Sequence, residues 1–369
     1  MDSVKIFHIA DVHLDTPFSG MSPTEAASCK NGLRGAFAKA ILSAKNRGVQ
    51  IFLIAGDLFD GAFVSPDTEE FLIEKFSSYP DCHFFISPGN HDPFTASSFY
   101  AKGKLPKNVH VFREKSRVEL EELGADVYGM GFTSREYTES PLTAYPSLRE
   151  DRINILVCHG DLGVANSVYG PISKDDIGLL PFDYIALGHI HKATDIITHK
   201  GVSIAYSGCI EGRGFDETGE KGGIYGTVSK GRTDLSFFPL SVRRYETEEV
   251  DISGFESRLQ VTDAVKAVMK RHGGARLRVV LTGRPKDAFY ISSDLFSVGG
   301  SDPDYIEIKD KSVPALSVTA IEQEKTLRGA FYRRMMGRIE SAADEKERME
   351  CVYALKLGLA ALEGRDTEA

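Results

Sequence analysis

The N-terminal part of the chain alternates short apolar runs with segments of helical periodicity. Apolar runs over residues 4–10, 49–57 and 84–87 are typical of buried strands. Apolar residues recur at helical spacing over residues 33–44, and a second helix is predicted to begin at Pro66, after the N-cap residue Ser65. The order strand–helix–strand–helix–strand predicts parallel strands joined by right-handed crossovers.

After residue 152 the apolar runs lie closer together along the chain. The segments INILVCHGD, FDYIALGHIH, VSIAYSGC, GGIYGTVS and DLSFFPL each have a strand pattern with short connections. They predict a second sheet packed on the first, with helices outside both sheets.

A polar stretch over residues 241–254 indicates a domain boundary. Beyond it, a helical pattern and the strand RLRVVLTG predict a small α/β cap, and two further helices follow after Ile321. We therefore predict three parts: a main domain over residues 1–243, a cap over 244–318 and C-terminal helices over 319–369. The C-terminal helices would either pack on the main domain or dock a partner.

Composition narrows the class of protein. The 369 residues are 42% hydrophobic and 26% charged, which is typical of a globular protein, and we find no apolar run near the ~18 residues of a membrane span. The five cysteines are scattered without a C-x-x-C pair, which predicts reduced thiols and a cytoplasmic setting. The net charge of −9 argues against general affinity for nucleic acid, but residues 266–286 hold seven Lys or Arg and no acid.

Five polar motifs follow predicted strands. They are DVH at 11–13, GDLFD at 56–60, GNHD at 89–92, CHGD at 158–161 and GHIH at 188–191. Ligand sites in α/β sheets form at the carboxyl ends of strands, so these motifs predict one site. On a strand, residues i and i+2 point the same way, so D-x-H and H-x-H would each present two groups.

The side chains in these motifs are imidazoles, carboxylates and one amide, and five of the ten histidines of the chain lie among them. Such a nitrogen and oxygen donor set suits Mn²⁺, Fe²⁺ or Zn²⁺ at a reactive site better than a structural zinc, which favours Cys. Two cations sharing one carboxylate would activate water for an in-line phosphoryl displacement. A histidine that binds no metal could protonate the leaving group. Asp92 and Asp161 would either orient such ligands or hold turns.

The order D-x-H, G-D-x-x-D, G-N-H-D, H-G, G-H-x-H resembles that of the calcineurin-like metallophosphoesterases over residues 4–240. The resemblance implies an α/β fold, a four-layer αββα sandwich. It implies one metal held by Asp11, His13, Asp57 and His191, and a second held by Asp57, Asn90, His159 and His189. It also implies His91 as the general acid and Asp60 as the residue that orients it.

The segments GDLFD, GNHDP, DVHLDTPF and SGCIEGRGFDETGEKGG further resemble DNA repair nuclease subunits of the SbcD type, closest to the YhaO-like bacterial branch. This resemblance implies a DNA exonuclease, with endonuclease activity left open, that uses two divalent ions. Mn²⁺ is the first choice, and Fe²⁺, Zn²⁺ and Mg²⁺ are alternatives. The implied partners are DNA and an SbcC-like coiled-coil ATPase docked on the C-terminal helices, and a homodimer stays open.

In such nucleases the cap helps to hold DNA, which makes the basic stretch a candidate DNA surface. Its candidate contacts are Lys266, Lys270, Arg271, Arg276 and Arg278. Two rival functions stay open: a phosphoesterase acting on small molecules such as cyclic nucleotides, and a non-catalytic DNA-binding or ATPase-regulating subunit.

Overall fold

The computed structural model describes residues 3–102, 104–145, 148–178, 180–286, 289, 291–313, 321 and 323–362. The chain divides into two compact units, residues 1–242 and 243–369. The second unit contains both the predicted cap and the predicted C-terminal helices. The boundary predicted between those two parts, after residue 318, lies outside the described residues.

The first unit is built around two six-stranded sheets. Its strands are β1 Val4–Ile9, β2 Ile51–Ile54, β3 His83–Ile86, β4 Val109–Val111, β5 Ser116–Leu120, β6 Ala125–Gly129, β7 Ile153–His159, β8 Asp161–Leu162, β9 Pro171–Ile172, β10 Tyr184–Gly188, β11 Ile197–His199, β12 Val202–Tyr206, β13 Gly222–Ser229 and β14 Arg232–Pro239. Its α-helices are α1 Pro23–Arg47 and α2 Pro66–Ser77.

The first sheet has the order β14-β13-β1-β2-β3-β4, and the second has the order β11-β12-β10-β7-β6-β5. Strands β1, β2 and β3 are parallel, as predicted. Strand β4 also pairs parallel with β3, and β6, β7, β10 and β12 are parallel in the second sheet. The α/β fold class is confirmed, and all the carboxyl ends that carry the five motifs belong to these parallel strands.

The prediction that GGIYGTVS and DLSFFPL belong to the second sheet is wrong. These segments form β13 and β14, and β13 pairs antiparallel with β1 in the first sheet. A strand pattern does not specify the partner strand. Gly223 permits this pairing, because a Cβ there would lie 2.9 Å from side-chain atoms of Ile9 and Phe7.

The two sheets pack face to face around one apolar core. Strand alternation sends Ile6 and Leu53 from the first sheet, and Ile155 and Val157 from the second, into this shared core. The alternate residues of the first sheet pack against α1 and α2. The first of these helices begins after Ser22, which forms a capping box with Glu25.

The opposite face of the second sheet is covered differently from the prediction. Leu156 and Cys158 of β7 pack there against Phe132, Ile172 and neighbouring apolar residues. Among the described residues, these covering segments are loops and short strands rather than a helical layer. Cys158 is fully buried on this face.

The second unit contains a parallel sheet in the order β15-β16-β17, formed by β15 Tyr245–Asp251, β16 Arg276–Thr282 and β17 Tyr305–Asp310. Its α-helices are α3 Arg258–Met269, α4 Leu327–Glu340 and α5 Glu345–Leu362. Helix α3 packs on the sheet through Val261 and Val265. Met335 and Ile339 of α4 are buried against α5, whereas Leu327 is 74% exposed.

The five cysteines are buried and form no disulfide. Across the described residues, every helix is too short or too polar to span a bilayer.

Candidate metal centre

The five motifs meet where the parallel strands of both sheets end. Strand β1 ends at Ile9 and β10 at Gly188, so Asp11, His13 and His189 lie beyond the strands. The strand-alternation argument for D-x-H and H-x-H is therefore wrong. The backbone turns these side chains toward the site instead, with φ of 50° at both Asp11 and His13 and 110° at His189. Such left-handed backbone costs energy and clusters at functional sites.

Backbone hydrogen bonds hold these strained loops together. The N–H groups of Val12 and His13 both donate to the carbonyl oxygen of Asp57, at 2.9 and 3.0 Å. The close approach also requires Gly89, since a Cβ there would lie 2.2 Å from Oδ1 of Asp57. The loops after β1, β2 and β3 therefore form one compact platform.

The first candidate ion position joins the two sheets. Asp11, His13 and His191 each offer a ligand atom, and these atoms lie within 4.8 Å of one another. The two histidine Nε2 atoms are 3.2 Å apart, and Nε2 of His191 is 4.0 Å from Oδ1 of Asp11. Asp11 and His13 are buried, whereas His191 is half-buried, so the position opens on the side of His191.

The second candidate position lies beside the first. Asp11, Asp57 and His159 offer ligand atoms within 4.8 Å of one another. Nε2 of His159 is 2.9 Å from Oδ1 of Asn90 and 3.5 Å from Oδ2 of Asp57. The same Asp57 oxygen is 3.8 Å from Nε2 of His13. One carboxylate oxygen thus lies between the two positions, as a bridging ligand requires.

The electrostatics of these carboxylates fit bound cations. Asp11 and Asp57 are each 1% exposed, and among the described residues neither forms an ion pair with Lys or Arg. Burial raises the pKa of Asp11 although the nearby histidines oppose the shift. A buried carboxylate needs compensating positive charge nearby. Nδ1 of His159 donates to the carbonyl oxygen of Ala55 at 2.9 Å, so the Nε2 of this ring faces the site.

His189 occupies a different place from the other predicted ligands. Its ring packs against His159 and Tyr169, with ring centroids 5.1 Å away in each case. Its Nε2 lies 3.3 Å from Oδ1 of Asp161, and its backbone N–H donates to Asp11. Among the described residues, the groups of ligand atoms within 4.8 Å do not include His189. Asp161 therefore contacts a predicted ligand, one of the two roles predicted for it.

Asp92 holds the turn that carries Asn90 and His91. Its carboxylate accepts hydrogen bonds from the N–H of Gly89 at 2.7 Å, the N–H of Phe59 at 3.2 Å and the hydroxyl of Tyr100 at 2.6 Å. Burial, with a further contribution from Asp57, raises the pKa of Asp92 to about 6.

His91 lies at the rim, next to the first position. Its side chain is 43% exposed, and its ring meets that of His13 edge-on at 4.9 Å. Its Nδ1 donates to the backbone oxygen of Asp60 at 3.2 Å, whereas the Asp60 carboxylate is 3.8 Å away. That carboxylate lies closer to Nδ1 of His13, at 3.0 Å. Asp60 thus contacts His91 mainly through its peptide group.

Two further residues that the motifs did not single out reach the site. Glu217 accepts from Nδ1 of His191 at 2.6 Å, and Arg213 donates to Asp60 at 3.1 Å. Both belong to the segment SGCIEGRGFDETGEKGG, which entered the sequence resemblance without a role for either residue.

The predicted DNA residues lie in the second unit, and several of them are paired. Arg271 forms an ion pair with Glu248, and Arg278 with Glu307 at 2.9 Å. The guanidinium of Arg276 stacks over Tyr305, 4.2 Å from the ring centroid.

Lys266 and Lys270 are exposed at the C-terminal end of α3, beside a cavity of about 270 Å³ that is also lined by Phe296 and Asp302. Among the described residues, neither lysine has an ion-pair partner, so these two carry the free positive charge of the group.

Comparison with known proteins agrees with this arrangement. The calcineurin-like phosphoesterase family matches residues 4–193, just over half of the chain. The uncharacterized metallophosphoesterase YhaO of Bacillus subtilis is 28% identical over 299 residues, which cover 77% of this chain and 72% of YhaO.

Two solved structures are similar at lower identity. A dimetal phosphatase from Danio rerio has a TM-score of 0.39 and 10% identity, covering 64% of this chain and 98% of its own. GAP50, the anchor in the inner membrane complex of Plasmodium, has a TM-score of 0.36 and 12% identity, covering 65% of this chain and 90% of its own. From the family match, which spans all five motifs up to His191, the chain belongs to the calcineurin-like phosphoesterases and is a metal-dependent phosphoesterase.

Proposed function

We propose that the chain hydrolyses DNA phosphodiester bonds with two divalent ions, as an exonuclease that serves DNA repair. The observation that carries the proposal is the oxygen of Asp57 lying between His13 and His159, with His91 exposed at the rim. When bound, the ions would supply a nucleophile from water and neutralise charge on the scissile phosphate. Mn²⁺ is the proposed ion because the resemblance to SbcD-type nucleases implies it, and a donor set of imidazole, carboxylate and amide groups without thiolate is compatible with it.

The residues of the chain would hold the ions and donate the proton. Asp11, His13, Asp57 and His191 would hold one ion, and Asn90, His159 and His189 would complete the other with Asp57. His91 would donate the proton that the departing oxygen needs. Its Nδ1–H is directed to the Asp60 carbonyl, so the proton in use would be on Nε2.

The choice of DNA rests on the resemblance of the motifs to SbcD-type nucleases and on the exposed lysines of the second unit. Lys266 and Lys270 are the proposed phosphate contacts, with Arg271, Arg276 and Arg278 as weaker candidates because they already contact glutamates or aromatic rings. A coiled-coil ATPase is the proposed partner, docked on α4 and α5, where Leu327 and Tyr353 are exposed.

A small-molecule phosphodiester is the second candidate substrate. The pairing of Arg271 and Arg278 with glutamates favours it, since little free positive charge is then left in the basic stretch. A substrate panel with Mn²⁺ separates the two: single- and double-stranded DNA, cyclic nucleotides and bis(p-nitrophenyl) phosphate. Cleavage of DNA with strongly salt-dependent affinity supports the proposal, and activity confined to the small esters refutes it.

The His91→Asn substitution tests the role of the proposed acid. Hydrolysis of DNA should fall by about 10²–10⁴-fold because the departing oxygen loses its proton donor, while DNA binding stays unchanged. Hydrolysis of bis(p-nitrophenyl) phosphate should fall less, because p-nitrophenolate leaves without a proton.

The matched control is His83→Asn, whose ring contacts Glu122 at 3.1 Å outside the five motifs. We expect parental rates from it. If the His91 variant lost hydrolysis of DNA and of bis(p-nitrophenyl) phosphate by the same factor, general acid catalysis by this residue would be contradicted.

A further inference from the structure

The segment between β12 and β13 folds a charged loop against the metal centre. Glu217 accepts from the backbone N–H of Arg213 at 2.8 Å, and the N–H of Glu217 donates to the carbonyl oxygen of Gly214 at 3.1 Å. The Glu217 side chain is 6% exposed and that of Arg213 is 20% exposed. Two opposite charges are thus fixed in a short, largely buried turn.

Glu217 determines which nitrogen of His191 is available to an ion. Its Oε1 lies 2.6 Å from Nδ1 of His191. Nη2 of Arg213 is 3.2 Å from the same Nδ1 but lies closer to Oε1 of Glu217, at 2.9 Å, and donates there. With Oε1 as the acceptor for His191, Nδ1 carries the proton and the lone pair on Nε2 points toward Asp11 and His13.

A parallel contact exists at His13. The carboxylate of Asp60 lies 3.0 Å from Nδ1 of His13, at ion-pair distance although off the N–H direction. With Nδ1 facing this carboxylate, the lone pair on Nε2 of His13 faces that of His191, 3.2 Å away. Two lone pairs so placed repel each other unless a cation lies near both.

Arg213 connects these two carboxylates. Its Nη1 donates to Oδ1 of Asp60 at 3.1 Å, and its Nη2 donates to Oε1 of Glu217 at 2.9 Å. A planar guanidinium can hold two acceptors in fixed directions, which an ammonium cannot do. The same side chain therefore braces both histidines of the first ion position.

Within the described part of the chain, Arg213 makes no such contacts at the second ion position. Nδ1 of His159 donates to a peptide oxygen, that of Ala55, rather than to a carboxylate. Removal of the Arg213 side chain should therefore affect one position and spare the other.

We propose that Arg213 is a positioning residue that sets the affinity of the first ion position, held by Asp11, His13, Asp57 and His191, by fixing Asp60 and Glu217 behind the two histidines. This inference rests on the proposed two-ion site but not on the identity of the substrate. It gives the charged loop a role in metal binding.

The test is a calorimetric Mn²⁺ titration of the parent chain, Arg213→Met and Arg213→Lys, with electron paramagnetic resonance to detect paired Mn²⁺ ions. The parent should bind two ions. Arg213→Met should weaken one of them by about 10–100-fold, the usual effect of removing a group behind a metal ligand. Arg213→Lys should show a smaller loss, and high Mn²⁺ should restore both the paired signal and the hydrolysis of bis(p-nitrophenyl) phosphate.

Arg152→Met is the matched control. Arg152 also bridges two carboxylates, Asp126 at 3.1 Å and Glu121 at 2.7 Å, but it touches none of the predicted ligands. This variant should bind both ions with parental affinity. Parental binding of both ions by Arg213→Met, or equal weakening of both positions, would overturn the proposal.

A second substitution gives an independent test. In Glu217→Gln the amide can donate to Nδ1 of His191, which moves the ring proton to Nε2, into the ion position. The first ion should then bind at least as weakly as in Arg213→Met. A parent that binds fewer than two ions overturns this inference together with the two-ion function, whereas a parent that binds two ions and cleaves no DNA refutes only the proposed substrate.

Discussion

The metal centre of the first unit and the basic stretch of the second unit use charge in opposite ways. In the first, Asp11 and Asp57 are buried together, and within the described part of the chain their ion-pair contacts are with histidines. In the second, Arg271 and Arg278 are largely neutralised by glutamates of the same unit. A charge-rich sequence is therefore a weaker sign of function than a buried carboxylate that has histidines but no Lys or Arg as partners.

The largest expected effect comes from removing the shared oxygen of Asp57. Asp57→Asn should lower phosphodiester hydrolysis by about 10³-fold or more, since removing even one charge-stabilising group costs about 10²–10³-fold. Without metal, the variant should melt close to the parent temperature, because the contacts of Asp57 are with histidines and the backbone N–H of His91 rather than with Lys or Arg. Initial rates in Mn²⁺ and calorimetry in chelator measure the two effects.

Asp126→Asn is the matched substitution at a paired carboxylate. Asp126 is fully buried, and it accepts from Arg149 at 2.6 Å and from Arg152 at 3.1 Å. This change should instead lower the melting temperature, because it breaks a satisfied ion-pair network. If Asp57→Asn destabilised the metal-free chain as much as Asp126→Asn does, the contrast between a buried carboxylate that contacts histidines and one that is paired with arginines would be wrong.

The sequence motifs predict which residues to expect at the site but not the way they meet. Short motifs after apolar runs located Asp57, Asn90 and His159, because parallel strands bring their ends to one edge. Left-handed backbone at Asp11 and His13 is not visible in a strand pattern, so the direction of these side chains was wrongly attributed to alternation.

Long-range contacts account for the rest of what the sequence could not predict. Arg213 and Asp60 are 153 positions apart, and nothing in the local sequence couples them. The pairing of β13 with β1 could not be read from the pattern for the same reason, because apolar alternation defines a strand and its buried face but leaves its neighbour open.

A smaller effect is expected at Lys356, where the second unit, like the first, buries a charged group. Lys356 is 4% exposed on α5, and its Nζ pairs with Asp310 and donates to Ser312 at 3.0 Å. Lys356→Met should lower the free energy of unfolding by about 2–3 kcal/mol, less than for a fully buried pair because Asp310 keeps some contact with water. Calorimetry of the full chain measures it.

The control for this prediction is Lys286→Met. Lys286 pairs with Glu256, and both side chains are 62% exposed. Exposed pairs contribute little, so no measurable change is expected. Equal melting temperatures for the two variants would mean that burial does not distinguish these ion pairs.

The smallest predicted effect separates free from paired positive charge in the second unit. Replacing both Lys266 and Lys270 by Gln should weaken DNA binding by about 10-fold and reduce the slope of log affinity against log salt by about two, one for each lysine that no longer neutralises a phosphate. Replacing both Arg271 and Arg278 by Gln removes the same formal charge, but from groups that already contact Glu248 and Glu307. Fluorescence anisotropy with a labelled duplex over a range of salt should show a smaller change in slope for the arginine variant. Equal changes would mean that glutamate pairing leaves these arginines free to reach phosphate, and the proposed DNA surface would then include the whole basic stretch.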